Sequence, residues 1–323
     1  MDSFKPAFGL KNRHIQTLYP ALYRKIKPLD LENEIFELDD GDFTECSWYK
    51  KPKKDETKPI VVLLHGLEGS YKSPYIKGIM LELDKIGFSS VLMHFRGCGD
   101  TSNRYPRAYH SGDTKDIRDW IKYLKMTYPL SDLFAVGYSL GGNVLLKLLG
   151  EDGKDSHLKG AVSVSAPIQL DISANAINKG YSKIYQKHLL KHLKQTLLNK
   201  YENHPMKSLI NFDKKNIDSI DTIHQFDEIY TAKIHNFENA QEYYKKSSAK
   251  QYLKYIKTPT LIIQALDDPF MTKNILPSKD ELSNSITLEV YENGGHVGFV
   301  SGTIFQPQYW LEGRFVEYFE KFK

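Results

Sequence analysis

The stretch from Asp132 to Gly150 constrains the fold more than any other part of the chain. Its apolar run Leu133–Val136 is typical of a buried strand, and the apolar positions from Val144 to Leu149 recur at helical spacing. Between them stands Gly137-Tyr-Ser-Leu-Gly141, a pentapeptide that also occurs by chance in ordinary turns. A strand before this motif and a helix after it are typical of a nucleophile elbow, which presents a serine hydroxyl on a strained turn. The context therefore predicts Ser139 as a catalytic nucleophile.

Composition excludes several classes of protein. The chain has 323 residues, 41% of them hydrophobic, which is enough for one large α/β domain or two smaller ones. A formal charge of +4 gives no reason to expect a nucleic-acid partner. Two cysteines, Cys46 and Cys98, cannot make a disulfide framework and favour a reducing, cytoplasmic compartment. The first residues lack the apolar segment of a signal peptide, and no apolar run approaches the ~20 residues of a membrane span, so we expect a soluble protein without a transmembrane segment.

Strand-like and helix-like segments alternate in the first half of the chain. Continuous Val, Ile and Leu runs are typical of strands buried on both faces, and the segments between them have helical periodicity. This alternation predicts a doubly wound, mostly parallel sheet. Residues 1–31 are expected to form an arm packed on this body. The predicted elements are a hairpin at 34–49, strands at 60–64, 89–95, 133–136 and 160–166, and helices at 74–86 and 111–128, the last with Asp113 as its N-cap.

From Pro167 to Thr258 the alternation stops, and no strand-like run is present. Residues 168–257 contain 15 lysines, no arginine and nine acidic residues, a net charge of +6. A leucine stripe at helical spacing runs through Leu189, Leu193 and Leu197. We interpret residues 167–258 (the cap segment) as a helical insertion over the carboxyl edge of the sheet, within a core of residues 1–166 and 259–323. The alternative is a small helical domain without a role at the site.

The alternation returns after the cap segment with the strand 259–264 and a last strand, 286–291. Polar loops follow both strands. Because parallel strands present their carboxyl ends at one edge of a sheet, both loops are expected beside Ser139. A serine hydroxyl needs a histidine to take its proton, and the histidine needs a carboxylate to hold its tautomer. The glycine-flanked His296 in the last loop is therefore the predicted base.

Two carboxylates compete as the acid of this triad in Ala265-Leu-Asp-Asp-Pro269. In such loops the acid usually follows a small residue and two spacers, and often precedes a proline. This spacing favours Asp268. Asp267 is then expected to bond the backbone of its own turn.

An oxyanion intermediate needs two backbone N–H groups aimed at its negative charge. The residue after the nucleophile, Leu140, is the predicted source of one. Leu67 is the predicted source of the other, because a His-Gly pair follows the strand 60–64 and leads directly to it.

Other polar residues near these motifs compete for a role. His65 begins the His-Gly pair, which ordinarily shapes the loop, so it is left out of the triad. Glu68 could touch polar groups of a substrate, but we expect a solvated carboxylate. For His14 in the arm we expect a structural role over a substrate contact, and His110 is given no role.

Motifs along nearly the whole chain are similar to those of one family. The sequence resembles the YheT-type branch of the α/β-hydrolase superfamily, bacterial esterases related to the ABHD lipid hydrolases and to the plant embryogenesis-associated proteins. A pattern specific to this branch begins at Asp227 and closes on Asp267-Asp268. The other matching motifs are His14-Ile-Gln-Thr-Leu18, Leu64-His-Gly-Leu-Glu-Gly-Ser70, Phe95-Arg-Gly-Cys98, Tyr109-His-Ser-Gly-Asp113, Gly137-Tyr-Ser-Leu-Gly-Gly-Asn143 and Gly294-Gly-His-Val-Gly-Phe299.

The resemblance implies an α/β-hydrolase fold and a serine hydrolase with Ser139, Asp268 and His296 as its triad. It implies an acyl ester as the substrate class, and neither a metal nor an organic cofactor. At the catalytic positions the sequence shows no departure from the family pattern.

From these features we expect a serine esterase for small, acylglycerol-like carboxylic esters with short or medium acyl chains. The leucine stripe of the cap segment is expected to form an apolar slot for the chain. A thioesterase and an acyltransferase use the same triad and stay open, whereas a non-catalytic binding protein would usually lack a triad residue. The lysines of the cap segment could contact anionic lipid at the membrane surface, or merely solvate a helix. No oligomeric state is predicted.

Overall fold

Buried aliphatic runs form the strands of a large sheet in the computed structural model, which describes residues 3–323. Every residue in the runs 60–64, 89–93 and 133–138 is buried, because helices cover both faces of the sheet. The strands of this sheet are β1 (Glu32–Glu37), β2 (Phe43–Tyr49), β3 (Ile60–Leu64), β4 (Ser89–Met93), β5 (Leu133–Tyr138), β6 (Leu158–Val164), β7 (Thr260–Ala265) and β8 (Ile286–Tyr291). A separate antiparallel pair consists of β9 (Val300–Gly302) and β10 (Pro307–Tyr309).

The strand order in the described sheet is β1-β2-β4-β3-β5-β6-β7-β8. The pairs β1–β2 and β2–β4 are antiparallel, and the neighbours from β4 to β8 are parallel. The carboxyl ends of β3, β5, β7 and β8 therefore meet at one edge of the sheet. The predicted doubly wound, mostly parallel sheet is confirmed.

Helices pack on both faces of this sheet. Ile79 of one helix and Phe315 of the last helix belong to the apolar cluster on one face, whereas Trp120 and Leu145 belong to the cluster on the other. The α-helices are α1 (Arg13–Tyr23), α2 (Pro74–Lys85), α3 (Lys115–Thr127), α4 (Leu140–Asp152), α5 (Leu170–Ile177), α6 (Ser182–Asn203), α7 (Met206–Ile210), α8 (Ile223–Phe226), α9 (Ala232–Ile234), α10 (Ala240–Ser247) and α11 (Trp310–Glu320).

The start of α3 differs from the sequence prediction. Thr114, and not Asp113, occupies the N-cap position, and its side chain makes no capping hydrogen bond. Asp113 instead accepts a hydrogen bond from Arg107 Nη2 at 2.6 Å. The prediction of Asp113 as N-cap is wrong, because an ion pair with Arg107, six residues earlier in the same loop, competes for this carboxylate.

Helices and short turns make up the cap segment between β6 and β7. Leu190, Leu193 and Leu197 of α6 are buried in the same apolar cluster as α3 and α4. The division into a core and a cap at residues 167 and 258 stays a prediction, which this helical content supports. None of the helices in residues 3–323 is long and apolar enough to cross a membrane.

The arm predicted for residues 1–31 packs on the body over its described part. Phe4, Ala7 and Leu10 are buried, and so is the polar Gln16 of α1. His14 lies on the rim of this arm, where Tyr185 Oη is 3.1 Å from its Nδ1 and the two rings stack. These contacts agree with the structural role expected for His14.

Candidate active site

Ser139 stands at a sharp turn between β5 and α4. Its φ of +51° and ψ of −119° lie outside the regions that non-glycine residues usually occupy. The turn is tight enough that a Cβ on Gly137 would lie 2.5 Å from the carbonyl oxygen of Gly141. Likewise, a Cβ on Gly141 would lie 2.6 Å from the carbonyl oxygen of Leu64 on the neighbouring strand. Glycine is required at both positions, so the strained turn places the serine side chain at the carboxyl edge of the sheet.

His296 and Asp268 reach this serine from the loops after β8 and β7. His296 Nε2 lies 2.9 Å from Ser139 Oγ, and His296 Nδ1 lies 2.8 Å from Asp268 Oδ2. Asp268 is 1% exposed, and its other oxygen accepts a hydrogen bond from Phe270 N–H at 2.8 Å. The Phe270 ring stacks on the imidazole, with 4.0 Å between centroids and 9° between planes. The three predicted side chains thus form one chain of hydrogen bonds.

Asp267 makes different contacts. Its carboxylate accepts hydrogen bonds from Gly295 N–H at 2.9 Å and from Asn293 Nδ2 at 3.4 Å. It therefore supports the loop that carries His296, and not only its own turn as the sequence predicted.

The arm helix α1 holds the same histidine loop from the other side. Thr17 Oγ1 accepts a hydrogen bond from the backbone N–H of His296 at 2.9 Å. The buried Gln16 amide accepts from Val300 N–H at 2.7 Å and donates to the carbonyl oxygens of Val300 and Leu10 at 3.0 and 2.8 Å. Sequence reasoning gave neither residue a role. The signal that could have found them is the family motif at residues 14–18, which contains both.

The two predicted oxyanion donors border the same space as Ser139. Leu67 and Leu140 both line the cavity in front of the serine, and within residues 3–323 neither backbone N–H has a protein acceptor. The loop before Leu67 passes close to the nucleophile, since a Cβ on Gly66 would lie 3.3 Å from Ser139 Cβ. Both N–H groups are available to a developing negative charge.

His65 shapes this loop from inside. It is fully buried, and its Nε2 accepts a hydrogen bond from Phe95 N–H at 3.1 Å while its Nδ1 lies 2.6 Å from the carbonyl oxygen of Gly66. Burial lowers the pKa of His65 to about 3, so its ring is neutral. These contacts agree with its exclusion from the predicted triad.

Glu68 is not the solvated carboxylate that the sequence predicted. Its oxygens accept hydrogen bonds from Tyr109 Oη at 2.8 Å and from Thr196 Oγ1 on α6 at 3.2 Å. Burial raises the pKa of this carboxyl. The prediction is wrong because α6 covers the loop, a tertiary contact that no local pattern announces.

A cavity of about 420 Å³ opens in front of Ser139, between the sheet edge and the cap segment. Leu189 of the predicted stripe borders it, whereas Leu193 borders a separate cavity of about 60 Å³ and Leu197 is fully buried. Only the first leucine of the stripe therefore lines the cavity that contains Ser139. Other apolar side chains of the cap segment that line the larger cavity are those of Leu170, Ala174, Ile177 and Ile223.

One carboxyl of the cap segment also lines this cavity. Asp227 is 8% exposed and accepts hydrogen bonds from Thr231 Oγ1 at 2.8 Å and from Tyr244 Oη at 2.7 Å. Burial raises the pKa of Asp227 to about 7. A carboxyl that holds its proton more tightly than a solvated one suits the apolar lining of this cavity.

Comparison with known proteins places this architecture in a family. The model of the alpha/beta hydrolase fold matches residues 59–303, which is most of the chain. It is an α/β hydrolase. Predicted membership of the superfamily is confirmed.

The hydrolase also has named relatives. It is 41% identical over 311 residues to the Escherichia coli (strain K12) protein named "Putative esterase YheT", which covers 96% of this chain and 91% of that protein. A Saccharomyces cerevisiae (strain ATCC 204508 / S288c) protein named "Monoacylglycerol lipase" is 33% identical over 257 residues, which is 77% of this chain and 56% of that protein. The predicted kinship with the YheT-type branch is confirmed, and the predicted class of ester hydrolase agrees with these names.

A solved structure supports the fold of the hydrolase. An esterase from Pyrococcus furiosus, Pf2001, aligns with a TM-score of 0.57 over 91% of this chain and 93% of that chain. At 17% identity this likeness concerns the fold alone.

Three side chains of the hydrolase outside the predicted triad could offer ligands to a metal ion. The candidate ligand atoms of His110, Asp113 and His235 lie within 4.8 Å of one another. A cation here would compete with Arg107, whose guanidinium already binds the Asp113 carboxylate at 2.6 Å. Burial lowers the pKa of both histidines to about 3, and their rings pack edge to face at 4.5 Å. These contacts indicate that the three side chains stabilise the packing of this region.

We expect Asp227→Asn to change the pH dependence of the hydrolase's stability. The pKa of Asp227 is raised in the folded state, so the native protein binds this proton more tightly than the unfolded chain. Between the unfolded pKa of about 4 and the folded value of about 7, this group therefore lowers the free energy of unfolding as the pH rises. Asparagine cannot ionise and removes that slope.

Thermal unfolding at pH 5 and pH 8 measures this effect. The quantity to compare is the Tm of the Asp227→Asn variant minus the Tm of the native protein. This difference should be a few degrees larger at pH 8 than at pH 5. The exposed Asp218 of the same segment provides the control Asp218→Asn, which should follow the native profile. A Tm difference that is the same at both pH values would contradict the raised pKa.

Proposed function

We propose that the protein is a serine esterase that cleaves carboxylic esters with short or medium acyl chains through an acyl-enzyme. The observation that carries this proposal is the continuous chain of hydrogen bonds from Ser139 Oγ through the His296 ring to Asp268, at 2.9 and 2.8 Å. It lies beside an apolar cavity large enough for an acyl chain.

In the first step Ser139 attacks the ester carbonyl carbon. Asp268 accepts the hydrogen bond of the Nδ1–H tautomer, which leaves His296 Nε2 with a lone pair toward the serine hydroxyl. Nε2 takes the proton as the Oγ–C bond forms, and the carbonyl oxygen becomes an oxyanion. The N–H groups of Leu67 and Leu140 bind this oxyanion, a contribution worth roughly 3–4 kcal/mol per donor in comparable sites.

In the second step the tetrahedral intermediate collapses. The imidazolium of His296 gives its proton to the departing alcohol oxygen, and the acyl group stays on Ser139. Water then attacks the acyl-enzyme, with His296 taking a proton from it and returning that proton to Ser139 Oγ. The buried Asp268 carboxylate stabilises the positive charge of the ring in both halves of the reaction. No step calls for a metal ion or an organic cofactor.

The substrate class follows from the cavity and from the relatives. An apolar space of about 420 Å³ suits an acyl chain longer than acetate, and the name of the yeast relative supports a glycerol-like alcohol. Thioester hydrolysis and transfer to a second alcohol differ from this reaction only in the leaving group or the acceptor, so they are the alternatives. The cytoplasmic location inferred from the two cysteines stays a prediction.

Turnover of p-nitrophenyl esters of increasing acyl length tests the proposal. We expect maximal kcat/KM at butyrate to octanoate, and covalent labelling of the same sample by a fluorophosphonate probe. Matched thioesters measure the first alternative directly. A folded protein that turns over none of these esters and resists the probe would contradict the assignment.

We expect Leu189→Trp to shorten the preferred acyl chain. The larger ring would fill part of the cavity beside Ser139, and lost or added methylene contacts in such pockets change specificity by roughly 10- to 200-fold. Octanoate should therefore lose at least about tenfold in kcat/KM relative to acetate. Ile184→Trp is the matched control, because Ile184 lies on the same helix and is 67% exposed. An unchanged chain-length profile for Leu189→Trp would place the acyl pocket elsewhere.

A further inference from the structure

Helix α1 exposes a row of large apolar side chains to solvent. Ile15, Leu18 and Leu22 are 43%, 41% and 66% exposed, and their spacing places them on one face of the helix. The buried Gln16 lies on the opposite face, where it bonds the histidine loop. The apolar face is thus directed away from the body of the protein.

Further exposed apolar residues flank this helix on both sides. On one side Tyr19 Oη donates a hydrogen bond to the carbonyl oxygen of Ile304, whose neighbour Phe305 is 88% exposed. On the other side the ring of His14 lies 5.8 Å from that of Tyr181, which is 76% exposed. We name this surface the apolar rim; its members are Ile15, Leu18, Leu22, Tyr181, Ile304 and Phe305.

Positive charge surrounds the apolar rim. Residues 3–29 contain six basic residues and no acidic one. Arg24 is paired with Glu312, whereas the other five make no ion pair within residues 3–323. Exposed lysines of α6 add to this charge on the side of the cap segment. The unpaired basic residues are Lys5, Lys11, Arg13, Lys25 and Lys27.

The helix that carries half of the apolar rim also forms part of the wall of the catalytic cavity. Thr17, Pro20 and Ala21 of α1 line that cavity, and so do His188 and Leu189 of α6. Rim residues and cavity-lining residues therefore lie on different faces of the same helix, α1.

We propose that the apolar rim docks the protein on an anionic lipid surface, with its apolar side chains in the interface and its lysines among the headgroups. An amphipathic helix with basic flanks is the arrangement that binds such surfaces. A second copy of this chain is a poorer occupant, because a symmetric contact would bring the two basic faces together. Docking through α1 brings one wall of the catalytic cavity close to the lipid. The purpose of the docking rests on the proposed function, whereas the binding itself does not.

Vesicle sedimentation with the Ser139→Ala variant tests the docking surface without consuming lipid. The vesicles are phosphatidylcholine with and without phosphatidylglycerol. We expect binding to the anionic vesicles, weakening with salt, and at least a tenfold loss of affinity in Leu22→Ser/Phe305→Ser. The double variant Lys25→Glu/Lys27→Glu should lose the preference for anionic vesicles. Met126→Ser/Leu130→Ser is the matched control, since these side chains are 83% and 58% exposed at the end of α3, outside the rim.

Several results would overturn the proposal. One is that the protein does not bind anionic vesicles. A second is that the rim and control variants lose affinity equally. A third is that the protein does not bind vesicles but forms a dimer that the rim substitutions dissociate. The last result would make the rim a self-association surface. In the background with Ser139 intact, the rim variant should turn over soluble p-nitrophenyl butyrate normally but lose activity on an ester embedded in the vesicles. Absence of all ester turnover would count against the proposed function and leave the binding result unaffected.

Discussion

Replacing Ser139 with alanine is expected to abolish both ester hydrolysis and fluorophosphonate labelling. The substitution removes the only oxygen within hydrogen-bonding distance of His296 Nε2 in residues 3–323, so no acyl-enzyme can form. Loss of the nucleophile in a comparable triad costs on the order of 10⁶ in kcat. Initial rates with p-nitrophenyl butyrate and gel fluorescence of the labelled protein measure the two effects.

Ser173→Ala is the control for this experiment. Ser173 lines the same cavity, but its hydroxyl bonds the carbonyl oxygen of Gln169 within its own helix. This variant should keep its labelling and most of its activity. Circular dichroism and Tm show whether the Ser139 variant is folded. Labelling that persists in Ser139→Ala would mean that the nucleophile is another residue.

The second large effect is expected from Asp268→Asn. An asparagine there would keep its oxygen toward Phe270 N–H and turn its NH₂ group toward His296 Nδ1. The ring would then adopt the other tautomer, with a hydrogen on Nε2 that blocks proton transfer from Ser139. Such a tautomer error lowers kcat by about 10⁴. The measurement is kcat/KM with p-nitrophenyl butyrate.

Asp267→Asn is the matched comparison, since it makes the same chemical change one residue away. Its carboxylate bonds Gly295 and Asn293 but not the imidazole, so the variant should lose roughly tenfold or less through a looser histidine loop. If Asp267→Asn is instead the inactive variant, the assignment of the acid is displaced by one residue.

The sequence alone predicts those features of the fold and the candidate site that depend on residues close together in the chain. The elbow is recognisable because a strand, two obligatory glycines and a helix all lie within twenty residues of Ser139. The positions of Asp268 and His296 follow from strand order, since each comes directly after a strand and parallel strands end together. Membership of the family then rests on short motifs that each keep their own spacing.

Contacts between distant segments were not predictable in this way. Glu68 looks like a surface carboxylate in the sequence, but α6 covers it. The Asp113 ion pair is closer in the chain, yet the loop that brings Arg107 to it has no periodic pattern to reveal the contact. Helical periodicity identifies a buried face but not what covers it, so it could not separate Leu189, at the cavity, from Leu197, in the core. The burial and the bonding partner of each of these side chains depend on the folded structure and not on local periodicity.

The bond between α1 and the histidine loop has a consequence for the time course of synthesis. His296 and Thr17, which bonds its backbone, are 279 residues apart, so the ribosome makes Thr17 long before His296. Strands β1 to β8 and the turn that carries Ser139 are synthesised before His296. On the proposed mechanism the nascent chain therefore carries its nucleophile without a proton acceptor. On that mechanism the chain cannot acylate itself until the loop after β8 has been made and has returned to α1.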